Sequence, residues 1–95
     1  MPREAEIANQ APPPGFPGYL RIRWISASPS GKTARFLVVD RHGNLLGTIS
    51  WHGPWRQYVF APGNETIWSH GCLAELQSAL KRLTENKPEI PAEYA

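Results

Sequence analysis

Gly47-Thr-Ile-Ser-Trp-His-Gly-Pro-Trp-Arg-Gln-Tyr-Val-Phe60 is the stretch whose reading decides the fold of this chain. Two runs with strand composition flank His52-Gly53-Pro54, a tripeptide suited to a turn or a bulge. Before it, Ile49 and Trp51 alternate with Thr48 and Ser50, so one face is apolar and the other polar. After it, Trp55, Gln57 and Val59 alternate with Arg56, Tyr58 and Phe60. Both faces of that second run carry aromatic rings, which burial on one side does not explain. A one-residue bulge at His52-Gly53-Pro54 would switch which of them point outward.

The segments on either side extend this hairpin into a sheet. Tyr19–Ser26 places Leu20, Ile22 and Trp24 on one face and Arg21 and Arg23 on the other, with Tyr19 and Ile25 at its ends. Thr33–Asp40 is apolar on both faces at Phe36-Leu-Val-Val39, the mark of a central strand. Arg41-His-Gly-Asn44 is a hairpin turn, its glycine and asparagine suited to positive φ. Leu45–Trp51 and Trp55–Phe60 follow as strands, and Thr66–Trp68 reads as a short edge strand. Ser69 then caps a helix whose Cys72, Leu73, Leu76, Leu80 and Leu83 recur at three- and four-residue spacing. Asn86-Lys-Pro88 ends it. The expected fold is α+β: a small antiparallel meander of four to five strands with one C-terminal helix packed on one face. Residues 1–18 read as a Pro-rich arm, 19–87 as the single domain and 88–95 as a C-terminal tail.

Composition narrows the function classes. The chain has 95 residues, enough for one domain. Its ten prolines gather in the arm, the tail and the turns rather than inside elements. Ala11-Pro-Pro-Pro-Gly-Phe-Pro-Gly18 favours polyproline II and cannot build a sheet ladder. It reads as a linker or, more sharply, as a docking peptide anchored by Phe16. The formal net charge is +2, but residues 19–87 hold nine basic and four acidic residues, a surplus of five. That balance permits an anionic partner without demanding one. A single cysteine, Cys72, excludes an internal disulfide and fits a reducing compartment. No signal peptide and no apolar run of membrane-spanning length is visible, so the expected location is the cytoplasm.

A helix on one face leaves the other open. By alternation that open face carries Arg21, Arg23, Arg35, Thr48, Ser50, Arg56 and Tyr58. Arginines beside a ring on a sheet can hold phosphates and stack on bases, and the same residue types dominate protein–protein hot spots. A merely solvated face is the bland reading of the same pattern. Trp24 and Trp51 are expected in the core, whereas Trp55 and Tyr58, flanking Arg56 next to a turn, could form a surface pocket. The bet residues for binding are Trp55, Arg56 and Tyr58, with Arg21, Arg23 and Arg35 as electrostatic support.

Catalytic and metal chemistry find little to stand on. Gly31-Lys32-Thr33 imitates the end of a phosphate loop, but the first glycine is missing and no helix follows. Cys72 lies near a helix N-terminus with His70 close by, yet it sits on the apolar stripe, where an inert thiol is the commoner case. His52, His70 and Cys72 lack a paired ligand spacing for zinc. No cofactor, no metal and no enzymatic activity are expected. An exposed edge strand beside an aromatic face would allow two copies to pair.

One resemblance can be stated on these residues. Leu46-Gly-Thr-Ile-Ser-Trp51, Gly53-Pro-Trp-Arg-Gln-Tyr-Val-Phe60, Pro62, Thr66 and Cys72-Leu73 opening the helix resemble a group of short phage and prophage proteins. Their pattern is L-G-x-I-x-W-x-G-P-W-R-x-Y-x-F-x-P, then T, then C-L and an amphipathic helix, and the match covers residues 46–83. The group brings no established activity, so no catalytic residue carries over. What the resemblance implies is a small accessory protein of a virus or mobile element that acts by binding. It would inhibit a host defence protein, sequester a small anionic ligand such as a nucleotide, or, as the alternative, coat a nucleic acid.

Overall fold

The computed structural model describes residues 9–10, 18–28 and 31–87, with the backbone alone for Asn9 and Gln10. Among the described residues five strands occur in chain order: β1 (Asn9–Gln10), β2 (Leu20–Ala27), β3 (Ala34–Asp40), β4 (Leu45–His52) and β5 (Gln57–Pro62). A single 3-10 turn, Gly53–Trp55, separates β4 from β5, and one helix, α1 (His70–Glu85), closes the fold. The sheet order is β1-β2-β3-β4-β5 with every neighbouring pair antiparallel, so the α+β meander with its C-terminal helix is the observed architecture.

The fifth strand is not the expected one. Residues 66–69 form no strand. Instead the Thr66 hydroxyl donates to Gly63 O at 3.1 Å and accepts from Trp68 Nε1 at 3.0 Å, which folds the segment into a connection. The extra strand comes from the arm: Asn9 and Gln10 pair with Arg23 and Ile22. Neither Asn9 nor Gln10 is a proline, so these two residues keep the N–H groups a ladder needs. The Pro-rich segment 11–17, the turn residues Pro29 and Ser30 and the tail 88–95 lie outside the described residues.

Turn chemistry sets the hairpins. The Asp40 carboxylate accepts from the backbone N–H groups of His42 and Asn44 and from the Asn44 side-chain amide, all at 2.8–2.9 Å. Those donors, the Asn44 amide first, hold the Asp40 carboxyl below its usual range. Gly43 takes the positive φ of 87° that closes the turn. Gly47 is required for a different reason. A Cβ there would meet the Ala61 carbonyl and come within 2.6 Å of the Phe60 ring, which lies across the strand.

The core lies between the sheet and α1. Leu20, Ile22, Ala34, Phe36, Val38, Ile49 and Tyr58 come from the strands, and Leu76, Ala79 and Leu83 from the helix. The Ser69 hydroxyl accepts from the Cys72 N–H at 3.1 Å, the expected N-cap. The inward stripe of α1 is turned from the one read in the sequence: Leu73 is exposed, and Glu75 takes an inward position. Glu75 is only 2 % exposed. Its two carboxylate oxygens accept from Tyr19 N at 2.9 Å and Leu20 N at 3.3 Å, so the helix pins the start of β2. A carboxylate is tolerated in this interior because it accepts from two backbone donors, of which the buried Leu20 N–H would otherwise be unmet.

Candidate functional site

The face opposite α1 can be built row by row from the register. Arg21 pairs with Val39, which pairs with Leu45. Arg23 pairs with Leu37, Leu37 with Thr48 and Thr48 with Ala61, so these four stand side by side on one face. A bulge between Trp24 and Ser26 sets Ser26, rather than Ile25, beside Arg35. Three successive rows along β2 and β3 thus each carry an arginine. Arg21, Arg23 and Arg35 are exposed, as the sequence led one to expect.

Their surroundings differ. Arg21 Nη1 donates to Gly18 O at 2.6 Å and Leu20 O at 2.9 Å, which folds its guanidinium back onto its own strand. Arg23 and Arg35 make no hydrogen bond or ion pair among the described residues. Of the four carboxylates of residues 19–87, Asp40 is held in its turn, Glu65 lies in a turn, Glu75 is buried under α1, and Glu85 faces Lys81 at 3.9 Å on the helix. Beside the arginines, Leu37 is half-buried, Val39 is buried and Leu45 is 57 % exposed.

Tyr58 does not belong to this face. It is 3 % exposed, and as the cross-strand partner of Trp51 it points toward α1. Four residues, Gly53 to Arg56, lie between the paired His52 and Gln57. That even count puts Tyr58 and Phe60 on the same side as Ile49 and Trp51. The Tyr58 hydroxyl accepts from Ala34 N at 3.2 Å, and its ring meets Trp51 edge-on at 5.4 Å. Burial raises its phenol above the ordinary range, and the Ala34 hydrogen bond partly opposes that. Tyr58 is therefore a core residue, and a stacking platform made with Trp55 is corrected by this placement.

Trp55 and Arg56 form a separate corner at the end of the β4–β5 hairpin. Arg56 caps the 3-10 turn in the left-handed region, φ 54° and ψ 46°, with its N–H donating to Gly53 O at 3.0 Å. It thus lies in the turn, not in a strand alternation. An arginine in this conformation costs about 1–2 kcal/mol relative to ordinary backbone. Trp55 is 66 % exposed and meets His52 edge-on at 4.7 Å. It also stands at one end of a groove of about 660 Å³ between β5 and α1, where Val59, Phe60, Leu73 and Leu80 supply apolar walls. Two strands separate this corner from β2, roughly 14 Å at normal strand spacing. The structure thus brings the three β2–β3 arginines together, and leaves Trp55 and Arg56 as a second cluster.

The edge beside that groove is largely closed. Tyr58 N–H points away from β4 and donates to Thr84 Oγ1 at 3.0 Å. Pro62, two pleats on, has no N–H to offer. Among the described residues this leaves the rung at Phe60, so pairing of two copies through β5 would have one open rung to use.

Cys72 is half-buried in the first turn of α1, His70 is exposed, and His52 is held against Trp55. Among the described residues no three His, Cys, Asp or Glu side chains are grouped to hold a metal ion. No described helix is long and apolar enough to cross a membrane. What sequence reasoning missed here is Glu75 and the aliphatic rows at Leu37, Val39 and Leu45. Neither has a local signal, because both depend on which strand lies alongside.

No family model matches the chain, and no solved structure matches it. Among curated proteins, the "Uncharacterized 9.3 kDa protein" of Acholeplasma phage L2 is 29 % identical over 72 residues, covering 75 % of this chain and 87 % of that protein. The chain is similar to a small phage protein.

Proposed function

We propose that this phage-like chain is a non-enzymatic binding protein that works in the host cytoplasm by occupying, and so inhibiting, a host protein. The observation that carries this reading is the open sheet face, where Arg23, beside Leu37, and Arg35, beside Ser26, present guanidinium groups that make no hydrogen bond or ion pair among the described residues. A planar guanidinium fork suits carboxylates and phosphates alike. The corner of Trp55 and Arg56 supplies a second contact, an exposed ring next to a backbone conformation that is held at a cost.

The alternative is a nucleic-acid-binding module, or capture of a small anionic ligand such as a nucleotide, on the same face. Burial of Tyr58 weighs against it, because it takes away the ring that the sequence offered for a base to stack on beside Arg56.

The test is capture of partners from host lysate by the parent protein and by the Arg23→Glu/Arg35→Glu double variant, with native mass spectrometry of the protein purified from host cells. The expected outcome is a host protein retained by the parent and lost by the double variant, with no copurifying nucleotide. A bound nucleotide, or retention that is indifferent to both substitutions, overturns the reading.

A further inference from the structure

We infer that the open face receives one helix of the partner, amphipathic, with carboxylates along one flank and aliphatic side chains along the adjoining one. This rests on the reading of that face as the binding surface, and it names the chemistry of what binds.

The register supplies the argument. In two consecutive rows an arginine on β2 stands beside an aliphatic residue on β3: Arg21 beside Val39, and Arg23 beside Leu37. Leu45 continues the first row across β4. Val39 itself is buried, so the apolar side chains this face offers beside its cationic edge are the half-buried Leu37 and the exposed Leu45, and a partner must match both charge and apolar surface at once. Two residues along a strand span about 6.6 Å, while one i to i+4 step of a helix rises about 6.0 Å. Carboxylates at i and i+4 of a partner helix thus fall opposite the Arg21 and Arg23 rows within the reach of arginine side chains. Arg21 is tied to Gly18 O and Leu20 O, so it contributes field, whereas Arg23 and Arg35 have donors to give.

Backbone accounting selects a helix over an extended segment. A lone strand laid on a sheet face leaves its own N–H and C=O groups without partners, and a helix meets them internally. The chain already uses this solution on its other face, where Leu76, Ala79 and Leu83 of α1 cover the sheet. Single-stranded nucleic acid would match the charge, but Leu37 and Leu45 give it nothing in return.

The test uses three fluorescent probes on the full chain at about 0.15 M salt. The first is a helical peptide of about 18 residues, about 27 Å long and comparable to the eight-residue β2, with Glu on one flank and Leu on the next. The second has the same composition permuted so that Glu encircles the helix. The third is an oligothymidylate of similar length. The expected result is that the patterned peptide binds at least about tenfold more tightly than the permuted one. Arg23→Glu and, separately, Leu37→Gln should each weaken it by about tenfold. Leu45→Gln, at a more exposed position, provides the same check should Leu37→Gln impair folding. Equal affinity for the two peptides, or indifference to both leucine substitutions, overturns the helix. Preference for the oligothymidylate, lost in Arg23→Glu, overturns the helix while leaving the face as the binding surface. No Arg23-dependent binding of any probe removes both.

Discussion

Beneath α1, four backbone N–H groups find side-chain acceptors: Glu75 takes those of Tyr19 and Leu20, Tyr58 takes that of Ala34, and Thr84 takes that of Tyr58. On the opposite face of the same sheet, Arg23 and Arg35 carry donors that no described residue accepts. The open face holds charge in a geometry set by the ladder but not discharged within the chain. An interior polar group left unmet costs stability, whereas a surface guanidinium is satisfied by water until something better arrives. Stability should therefore track the first face and recognition the second.

The largest blow to the covered face should come from Glu75→Ala. A buried backbone donor at Leu20 and a part-buried one at Tyr19 lose their acceptor, and urea unfolding should show a loss of about 3 kcal/mol. A loss below about 1 kcal/mol would mean that the helix does not pin β2 as the contacts indicate. Tyr58→Phe comes next, with about 1–2 kcal/mol expected from orphaning Ala34 N. That variant has a second signature. Because burial raises the Tyr58 pKa, its contribution is present in full below the unfolded value of about 10 and is lost as pH rises through the raised folded value. Alkaline unfolding of the parent should therefore steepen above about pH 10, and Tyr58→Phe should flatten it.

The corner sharpens the contrast from the other side. Arg56→Gly should stabilise the fold by about 0.5–1 kcal/mol in thermal melts, because glycine adopts φ 54° without the Cβ clash. The smallest effect belongs to the open face. Arg23→Glu with Arg35→Glu should change unfolding free energy by no more than about 0.5 kcal/mol, even where it abolishes binding. A large destabilisation there would erase the division of labour between the faces.

Parts of this arrangement were legible from residue order. Strand positions followed from alternation in Leu20–Trp24 and Leu45–Trp51, and the helix start from Ser69 ahead of a periodic apolar run. The exposed Arg21, Arg23 and Arg35 and the exposed Trp55 were legible too. Tyr58 was misplaced, because its side of the sheet hangs on the count of residues in the turn before it. The two-residue β1 went unread beside so many prolines, and Leu73 lies outside the core because it sits about 200° around the helix from the inward Glu75, a rotation that the apolar spacing alone does not fix.

The local rules thus set which segments become strands or helix, where the turns fall and which residues cap them, since each of these depends on neighbours within a few positions. Long-range contact settled the rest. Glu75 became an interior acceptor only when Tyr19 and Leu20 were brought alongside it across more than fifty residues of chain. Arg23 came to stand beside Leu37, and Tyr58 beneath Thr84, through register and helix docking. Those relations are made by segments distant in sequence. A one-residue shift at any turn would invert the affected strand's faces while leaving its composition unchanged.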